Sequence, residues 1–124
     1  MSKRPEHVLL VEDSEPVSDA LRLLIETTGA RASVAASIAE ALGIGARDPA
    51  KLVLIDLTLP DGDGLSLIEP LKAAGSQRFV ALTGRDDPET RDRCRAAGCS
   101  EVLVKPIPAR ELVTRISAWL AQTA

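Results

Sequence analysis

Several polar residues whose side chains could do chemistry stand at the ends of short apolar segments in this 124-residue chain. These residues are Glu12, Asp13, Asp56, Thr83 and Lys105. Neighbouring carboxylates repel one another, and a hard divalent cation such as Mg²⁺ relieves that repulsion. An aspartate can also attack a phosphoryl group and become an aspartyl phosphate. Together these residue types favour Mg²⁺-assisted phosphoryl transfer to Asp56, with Lys105 and the Thr83 hydroxyl contacting phosphate oxygens.

The spacing of apolar residues predicts the elements that bring these side chains together. Five short apolar runs are typical of strands buried on both faces of a parallel sheet: residues 7–11, 31–35, 51–55, 78–82 and 101–104. Helical patterns alternate with them, and this favours an α/β fold, a flavodoxin-like (βα)5 doubly wound parallel sheet with strand order 2-1-3-4-5. In that order the first and third strands are neighbours, so the carboxylates of Glu12, Asp13 and Asp56 should converge.

Three of the predicted helices carry features of their own. In the first, a single face carries four apolar residues: Val17, Leu21, Leu24 and Ile25. In the third, Pro70 removes a backbone donor and predicts a kink. The fourth, residues 88–97, is mostly charged, and only Thr90, Cys94 and Ala97 form an apolar stripe. Because few apolar contacts mean low local stability, we expect this helix to be able to move.

Length and composition limit the classes of protein to be considered. The chain is 45% hydrophobic and has the length of one domain, predicted over residues 1–124 with its core at about residues 6–122. Its 15 basic and 18 acidic residues give a net charge of −3, which argues against direct nucleic-acid binding. Neither an apolar run of membrane-spanning length nor a signal peptide is recognisable, and the two cysteines are expected to be reduced. These features favour a cytoplasmic protein.

Four segments taken together resemble the signatures of bacterial two-component response-regulator receiver domains, of the CheY-like superfamily. They are VLLVED at residues 8–13, LIDLTLPDGDG at 54–64, ALTG at 81–84 and VLVKP at 102–106. The resemblance covers nearly the whole chain. It implies a phosphorelay switch in which Asp56 accepts a phosphoryl group from a sensor histidine kinase or a histidine phosphotransfer protein, with Mg²⁺ as cofactor. It also implies self-phosphorylation from acyl phosphates and autodephosphorylation, but no other enzymatic activity.

The resemblance assigns further roles residue by residue. Glu12 and Asp13 match the acidic pair that holds Mg²⁺, with Asp13 as the direct ligand, and the backbone carbonyl of Thr58 matches the main-chain ligand. Thr83 matches the switch hydroxyl and Lys105 the phosphate-binding lysine. The peptide bond before Pro106 is expected to be cis. The side chains of Thr58 and Arg85 occupy the family positions that tune the lifetime of the phosphoryl group.

One position departs from the family pattern. Receiver domains often carry Tyr or Phe three residues before the lysine, where the ring moves with the switch threonine, but this chain has Val102 there. The family's output surface consists of the fourth helix, the fifth strand and the fifth helix. The resemblance implies that this surface contacts a downstream protein, a fused output domain or a second copy of the chain.

Two other functions stay open at this point. The chain could be a degenerate receiver that binds proteins without accepting phosphate, as Val102 suggests. It could also be a Mg²⁺-dependent phosphohydrolase, although such enzymes usually carry a second aspartate where this chain has Thr58. A calcium loop at residues 61–64 is excluded because Leu65 and Lys72 stand where oxygen ligands are needed.

Overall fold

The structure is a computed structural model and describes residues 5–122. The predicted domain also includes residues 1–4 and 123–124, which lie outside the described part. Five main strands alternate with five helices: β1 His7–Val11, α1 Glu15–Glu26, β2 Arg31–Ala35, α2 Ile38–Arg47, β3 Leu52–Asp56, α3 Ile68–Ala73, β4 Arg78–Thr83, α4 Pro88–Ala97, β5 Glu101–Val104 and α5 Ala109–Ala121. Within the described residues, none of the helices combines the length and the apolar character needed to cross a membrane.

The sheet confirms the predicted topology. Its five strands are parallel and lie in the order β2-β1-β3-β4-β5. Parallel strands need long crossover connections, and the helices supply them. The third strand begins one residue later than the predicted apolar run, and Asp56, which directly follows that run, is its last residue and pairs in register with Leu82. Thr83 is likewise the last residue of β4.

Side chains of the central strands alternate between two apolar layers, as the two-residue repeat of a strand requires. Leu9, Val53 and Ile55 point to the layer that contains residues of α3 and α4. Leu10 and Leu54 point to the opposite layer, which contains residues of α1 and α5. These strand residues are fully buried. The sheet is therefore held rigidly from both sides, and its carboxyl edge is a fixed platform for functional groups.

The segment after β3 does not form the kinked helix that Pro70 predicts. A two-residue hairpin, Thr58–Leu59 with Gly62–Asp63, is followed by a 3₁₀-helix over Gly64–Leu67, and α3 begins only at Ile68. Pro70 therefore lies in the first turn of α3. A proline is tolerated there because the first amide groups of a helix have no intrahelical partner. The prediction of a kink inside a longer helix was wrong for this reason.

Helix α4 is packed as thinly as its sequence predicts. Its side chains Thr90 and Cys94 are buried, and Ala97 is half-buried. The helix is nevertheless well capped: the Asp87 carboxylate accepts a hydrogen bond from the Thr90 amide at 3.2 Å, and Gly98 adopts a left-handed φ of 111° after its last turn. Capped ends and few buried side chains are what a helix of low local stability would have, and its mobility stays a prediction.

Candidate functional site

The carboxyl ends of β1 and β3 bring three carboxylates together. Glu12, Asp13 and Asp56 each offer an oxygen, and these oxygens all lie within 4.8 Å of one another. The Glu12 side chain is 2% exposed and that of Asp56 13% exposed, whereas Asp13 is open to solvent. This convergence was predicted from strand order alone. Closely spaced oxygen donors with one open side match what Mg²⁺ requires of a protein site.

Lys105 enters this cluster from the end of β5. Its Nζ lies 3.0 Å from Glu12 Oε1 and 3.3 Å from Asp56 Oδ2. The Lys105 amide donates a 2.7 Å hydrogen bond to the carbonyl of Thr83, which ties the lysine backbone to β4. The bond between Lys105 and Pro106 is cis, as expected from the resemblance. The lysine thus supplies one positive charge among three carboxylates.

Burial and charge act in opposite directions on this group of side chains. Burial raises the pKa of Glu12, and the Asp56 carboxylate raises it further, whereas the hydrogen bond from Lys105 opposes both. Burial lowers the pKa of Lys105, but its contacts with Glu12 and Asp56 outweigh burial, so that its pKa is raised. Lys105 therefore stays protonated. Three carboxylates against one ammonium leave excess negative charge, which a divalent cation could neutralise.

The backbone after Asp56 holds its carboxylate in place. The Thr58 amide donates to Asp56 Oδ1 at 3.0 Å, while Oδ2 faces Lys105. The Gly64 amide donates to the carbonyl of Leu57 at 3.1 Å, which folds the loop back over the strand end. At Gly64 a Cβ atom would overlap the carbonyl oxygen of Asp56 and lie 2.7 Å from Ile55. Only glycine lets the chain pass this close to Asp56.

Thr83 borders the same space from β4. The residue is buried, and its hydroxyl oxygen accepts a 3.0 Å hydrogen bond from the Arg85 amide. The Arg85 side chain is 78% exposed, and its Nε lies 3.4 Å from Asp87. Val102 pairs with Ala81 in the sheet and packs, half-buried, against the α3 and α4 side of the core. The structure therefore brings Thr83 to the site, and the largely exposed Arg85 borders the same space.

Two aspartates of the loop were rejected as calcium ligands, and their actual partners were not foreseen. The Asp61 carboxylate accepts hydrogen bonds from the Ile38 and Ala39 amides, at 2.9 and 3.2 Å, and so caps α2 from a distance. Asp63 Oδ1 accepts from the Leu65 amide, and its Oδ2 lies 2.6 Å from Arg93 of α4. The loop is thereby fastened to a helix on each side. The local sequence does not predict these contacts, because the partners lie 22 to 30 residues from Asp61 and Asp63 in the chain.

Known proteins with similar sequences cover most of the chain. Residues 8–117 match the sequence model of the response regulator receiver domain. The sensory transduction protein RegX3 of Mycolicibacterium smegmatis is 35% identical over 117 residues, which make up 94% of this chain and 51% of RegX3. The TorCAD operon transcriptional regulatory protein TorR of Escherichia coli O157:H7 is 36% identical, over 94% of this chain and 50% of TorR. The chain thus spans about half the length of these curated relatives.

Solved structures agree with this similarity over the whole fold. The non-phosphorylated HemR receiver domain from Leptospira biflexa superposes with a TM-score of 0.86 at 30% identity, covering 98% of each chain. The receiver domain of the sensor histidine kinase PA1611 from Pseudomonas aeruginosa gives a TM-score of 0.83 at 25% identity, covering 96% of this chain and all of that one. The latter structure has a magnesium ion coordinated in its active site cleft.

Proposed function

This chain belongs to the response regulator receiver domain family of two-component signal transduction, and from that premise we propose that Asp56 is its phosphorylation site. One observation carries the proposal: Asp56 Oδ2 lies 3.3 Å from Lys105 Nζ inside the cluster formed with Glu12 and Asp13. A nucleophilic carboxylate beside a fixed ammonium and further carboxylates is suited to phosphoryl transfer, which depends on positioning and charge neutralisation.

Each residue has a defined part in the proposed reaction. A carboxylate oxygen of Asp56 attacks phosphorus and forms the aspartyl phosphate, while the bond from phosphorus to the donor breaks and its electron pair leaves with the donor. Lys105 turns from the carboxylates to the incoming phosphate oxygens. The Thr83 hydroxyl loses the hydrogen bond that it accepts from the Arg85 amide and donates one to another phosphate oxygen. The exposed side chains of Thr58 and Arg85 flank the product and limit access of water to it.

The acidic cluster fits Mg²⁺ by its chemistry. Glu12, Asp13, Asp56 and the backbone carbonyl of Thr58 would hold the ion, and all of them are hard oxygen donors. Bound there, Mg²⁺ would neutralise charge on the carboxylates and on the transferred phosphoryl group. The raised pKa of the buried Glu12 carboxyl supports this assignment, because the protein alone does not fully compensate its charge.

The partners that we propose follow from the family and from the names of the relatives. A sensor histidine kinase or a histidine phosphotransfer protein donates the phosphoryl group. The relative TorR is named a transcriptional regulatory protein and is twice as long as the matched region, so a fused output domain or a separate downstream protein would read the phosphorylated state. The surface of α4, β5 and α5 is proposed as the contact for that output or for a second copy of the chain. It includes an edge strand of the sheet.

Mass spectrometry after incubation with acetyl phosphate tests the function directly. With Mg²⁺ present, we expect the mass of one phosphoryl group on the wild-type chain. We expect none after chelation of Mg²⁺ or in Asp56→Asn, which keeps the size of the side chain. A phosphoryl group found on another residue would refute the assignment. The absence of any adduct would favour the degenerate binding module, and continued phosphate release from many phosphate esters would favour a hydrolase.

A further inference from the structure

A cavity next to Asp56 is bordered by more positive charge than the proposed reaction uses. Its volume is about 580 Å³, and its walls include Asp56 and Thr83 on one side and Arg93 of α4 on the other. A water molecule takes about 30 Å³ of liquid volume, so the cavity holds a phosphoryl group together with several waters. A charged side chain of α4 therefore shares one space with the phosphoryl acceptor.

The Arg93 guanidinium is already engaged at the edge of this cavity. Its Nη2 lies 2.6 Å from Asp63 Oδ2, so that the ion pair joins α4 to the loop that follows Asp56. The two side chains are 53% and 48% exposed. An ion pair so open to solvent is held weakly, because water and salt screen the charges. A stronger anion arising in the cavity can therefore compete with Asp63 for the guanidinium.

We propose that Arg93 exchanges Asp63 for the phosphoryl group on Asp56, and that this exchange transmits phosphorylation to α4. The inference rests on the proposed function of Asp56. A phosphoryl group brings nearly two negative charges and three acceptor oxygens to the cavity, whereas Asp63 offers one charge, and its Oδ1 is already bonded to the Leu65 amide. Guanidinium groups bind phosphate through paired hydrogen bonds, which reinforces the preference.

The packing of α4 makes this exchange an effective signal. Within α4 only Thr90 and Cys94 are buried, so loss of the tie to the loop frees a helix with few other contacts. The new contact then draws the helix toward β3 and Asp56. This route needs no aromatic ring on β5, where the chain has Val102. It accounts for how a receiver without that ring moves its fourth helix.

Binding of beryllofluoride with Mg²⁺, a mimic of the phosphoryl group, tests the exchange when followed by NMR on the full chain. We expect Arg93→Ala to weaken binding about tenfold and to abolish the shift changes at the Cys94 and Ala97 amides, which do not border the cavity, with partial rescue by Arg93→Lys. Asp63→Asn keeps an oxygen for the Leu65 amide but releases Arg93, so it should tighten binding several-fold. The double variant should behave like Arg93→Ala, because the two residues act through one interaction.

Arg95→Ala is the matched control, since Arg95 lies on the same helix, does not border the cavity and is 78% exposed. If Arg93→Ala and Arg95→Ala bind the mimic equally well, or if Asp63→Asn weakens binding as much as Arg93→Ala, the ion pair is only a surface contact and the inference is wrong. If the wild-type chain itself does not bind beryllofluoride with Mg²⁺, the proposed function of Asp56 fails, and the exchange fails with it.

Discussion

Lys105 Nζ lies 3.0 Å from Glu12 Oε1, and this contact joins the end of β5 to the end of β1 across the central strands of the sheet. The Glu12 side chain is 2% exposed, whereas that of Lys105 is 32% exposed. Water can solvate the Lys105 ammonium but hardly reaches the Glu12 carboxylate. The contact therefore stabilises the charge of Glu12 more than that of Lys105. The same ammonium also contacts Asp56, so a single cation compensates two acids of the proposed metal site.

Replacing Lys105 should consequently have opposite effects on Mg²⁺ binding and on phosphorylation. In Lys105→Ala we expect tighter Mg²⁺ binding, because the cation that competes for the carboxylates is gone. We expect phosphorylation by acetyl phosphate to slow by about 10²-fold, because a charge that stabilises the transferring group is lost. Without Mg²⁺ the variant should be less stable by about 2 kcal/mol, because the buried Glu12 carboxylate loses a partner that is itself partly exposed to solvent. Titration calorimetry, mass spectrometry and urea unfolding measure the three quantities.

Lys51→Ala is the control for this experiment. Lys51 Nζ donates a 2.6 Å hydrogen bond to the carbonyl of Leu120, at the opposite edge of the sheet from Asp56. Its loss should lower stability without changing Mg²⁺ affinity or the phosphorylation rate. Equal Mg²⁺ affinity in the wild-type chain and Lys105→Ala would show that the lysine does not compete with the ion for these carboxylates.

Gly64 and Gly43 offer a matched pair of glycine substitutions. A Cβ at Gly64 would overlap the backbone carbonyl of Asp56, whereas at Gly43 of α2 it would lie 3.6 Å from the end of the Arg47 side chain. We expect Gly64→Ala to destabilise the chain by about 1–3 kcal/mol and to slow phosphorylation, because the strand end must move. Gly43→Ala should instead stabilise it by up to about 1 kcal/mol, since alanine favours a helix.

Chemical denaturation and the acetyl phosphate assay on both variants check this prediction. A Gly64→Ala chain that is as stable and as readily phosphorylated as the wild-type chain would mean that the loop can open without affecting Asp56.

The positions of Glu12, Asp13, Asp56 and Lys105 were predictable because each stands at or just beyond the end of a strand. In a parallel sheet the carboxyl ends of strands share one edge, so sequence order and strand order together determine which side chains meet. The periodicity of α1 was a weaker guide. It placed Val17 on the same face as Ile25, yet Val17 is 39% exposed while Ile25 is fully buried. Periodicity gives the direction of a face but not how far the neighbouring elements cover it.

The partners of the loop after Asp56 could not be predicted from the sequence. Asp61 and Asp63 stand in one short motif, but one contacts α2 and the other contacts α4. Their directions depend on the hairpin and on the placement of both helices, which are set by tertiary packing rather than by neighbouring residues. The ion pair of Asp63 with Arg93 is for the same reason visible only once the fold is known.

Asp61 should contribute to stability in a way that depends on pH. The hydrogen bond from the Ile38 amide, followed by that from Ala39, holds the pKa of Asp61 below its ordinary value of 3.8. A carboxyl group with a lowered pKa stabilises the fold above the unfolded pKa and loses that effect as pH falls through the folded pKa. The difference in melting temperature between the wild-type chain and Asp61→Ala should therefore be constant near neutral pH and shrink below about pH 4.

Thermal unfolding from pH 2.5 to 7 measures this difference, with Asp92→Ala as a control on an exposed aspartate of α4. A difference that grows as pH falls would contradict the capping role of Asp61.

The two cysteines give a chemical test of how tightly the region of α4 and β5 is closed. Both are free and buried, and burial, together with the neighbouring Cys94, raises the pKa of Cys99 to about 12. At pH 8 this leaves about 10⁻⁴ of Cys99 as thiolate, against about 10⁻¹ for an ordinary thiol with a pKa of 9.0. A thiolate of higher pKa is more nucleophilic, which offsets part of this loss, but burial also blocks the reagent, so we expect Cys99 to react at least about tenfold more slowly in the folded chain than in the unfolded chain.

Cys94→Ala isolates the reaction of Cys99, and the same measurement in urea gives the unfolded rate. Because the reagent attacks the thiolate, a reaction that proceeds only through opening should accelerate with denaturant, as the open population grows. Beryllofluoride with Mg²⁺ should change the rate if α4 shifts, since Cys94 lies in that helix and the Cys99 amide donates to its carbonyl at 3.0 Å. If Cys99 reacts in the native chain as fast as in the unfolded chain, the region of α4 and β5 is already accessible to the reagent. Phosphorylation would then have no closed conformation of α4 to open.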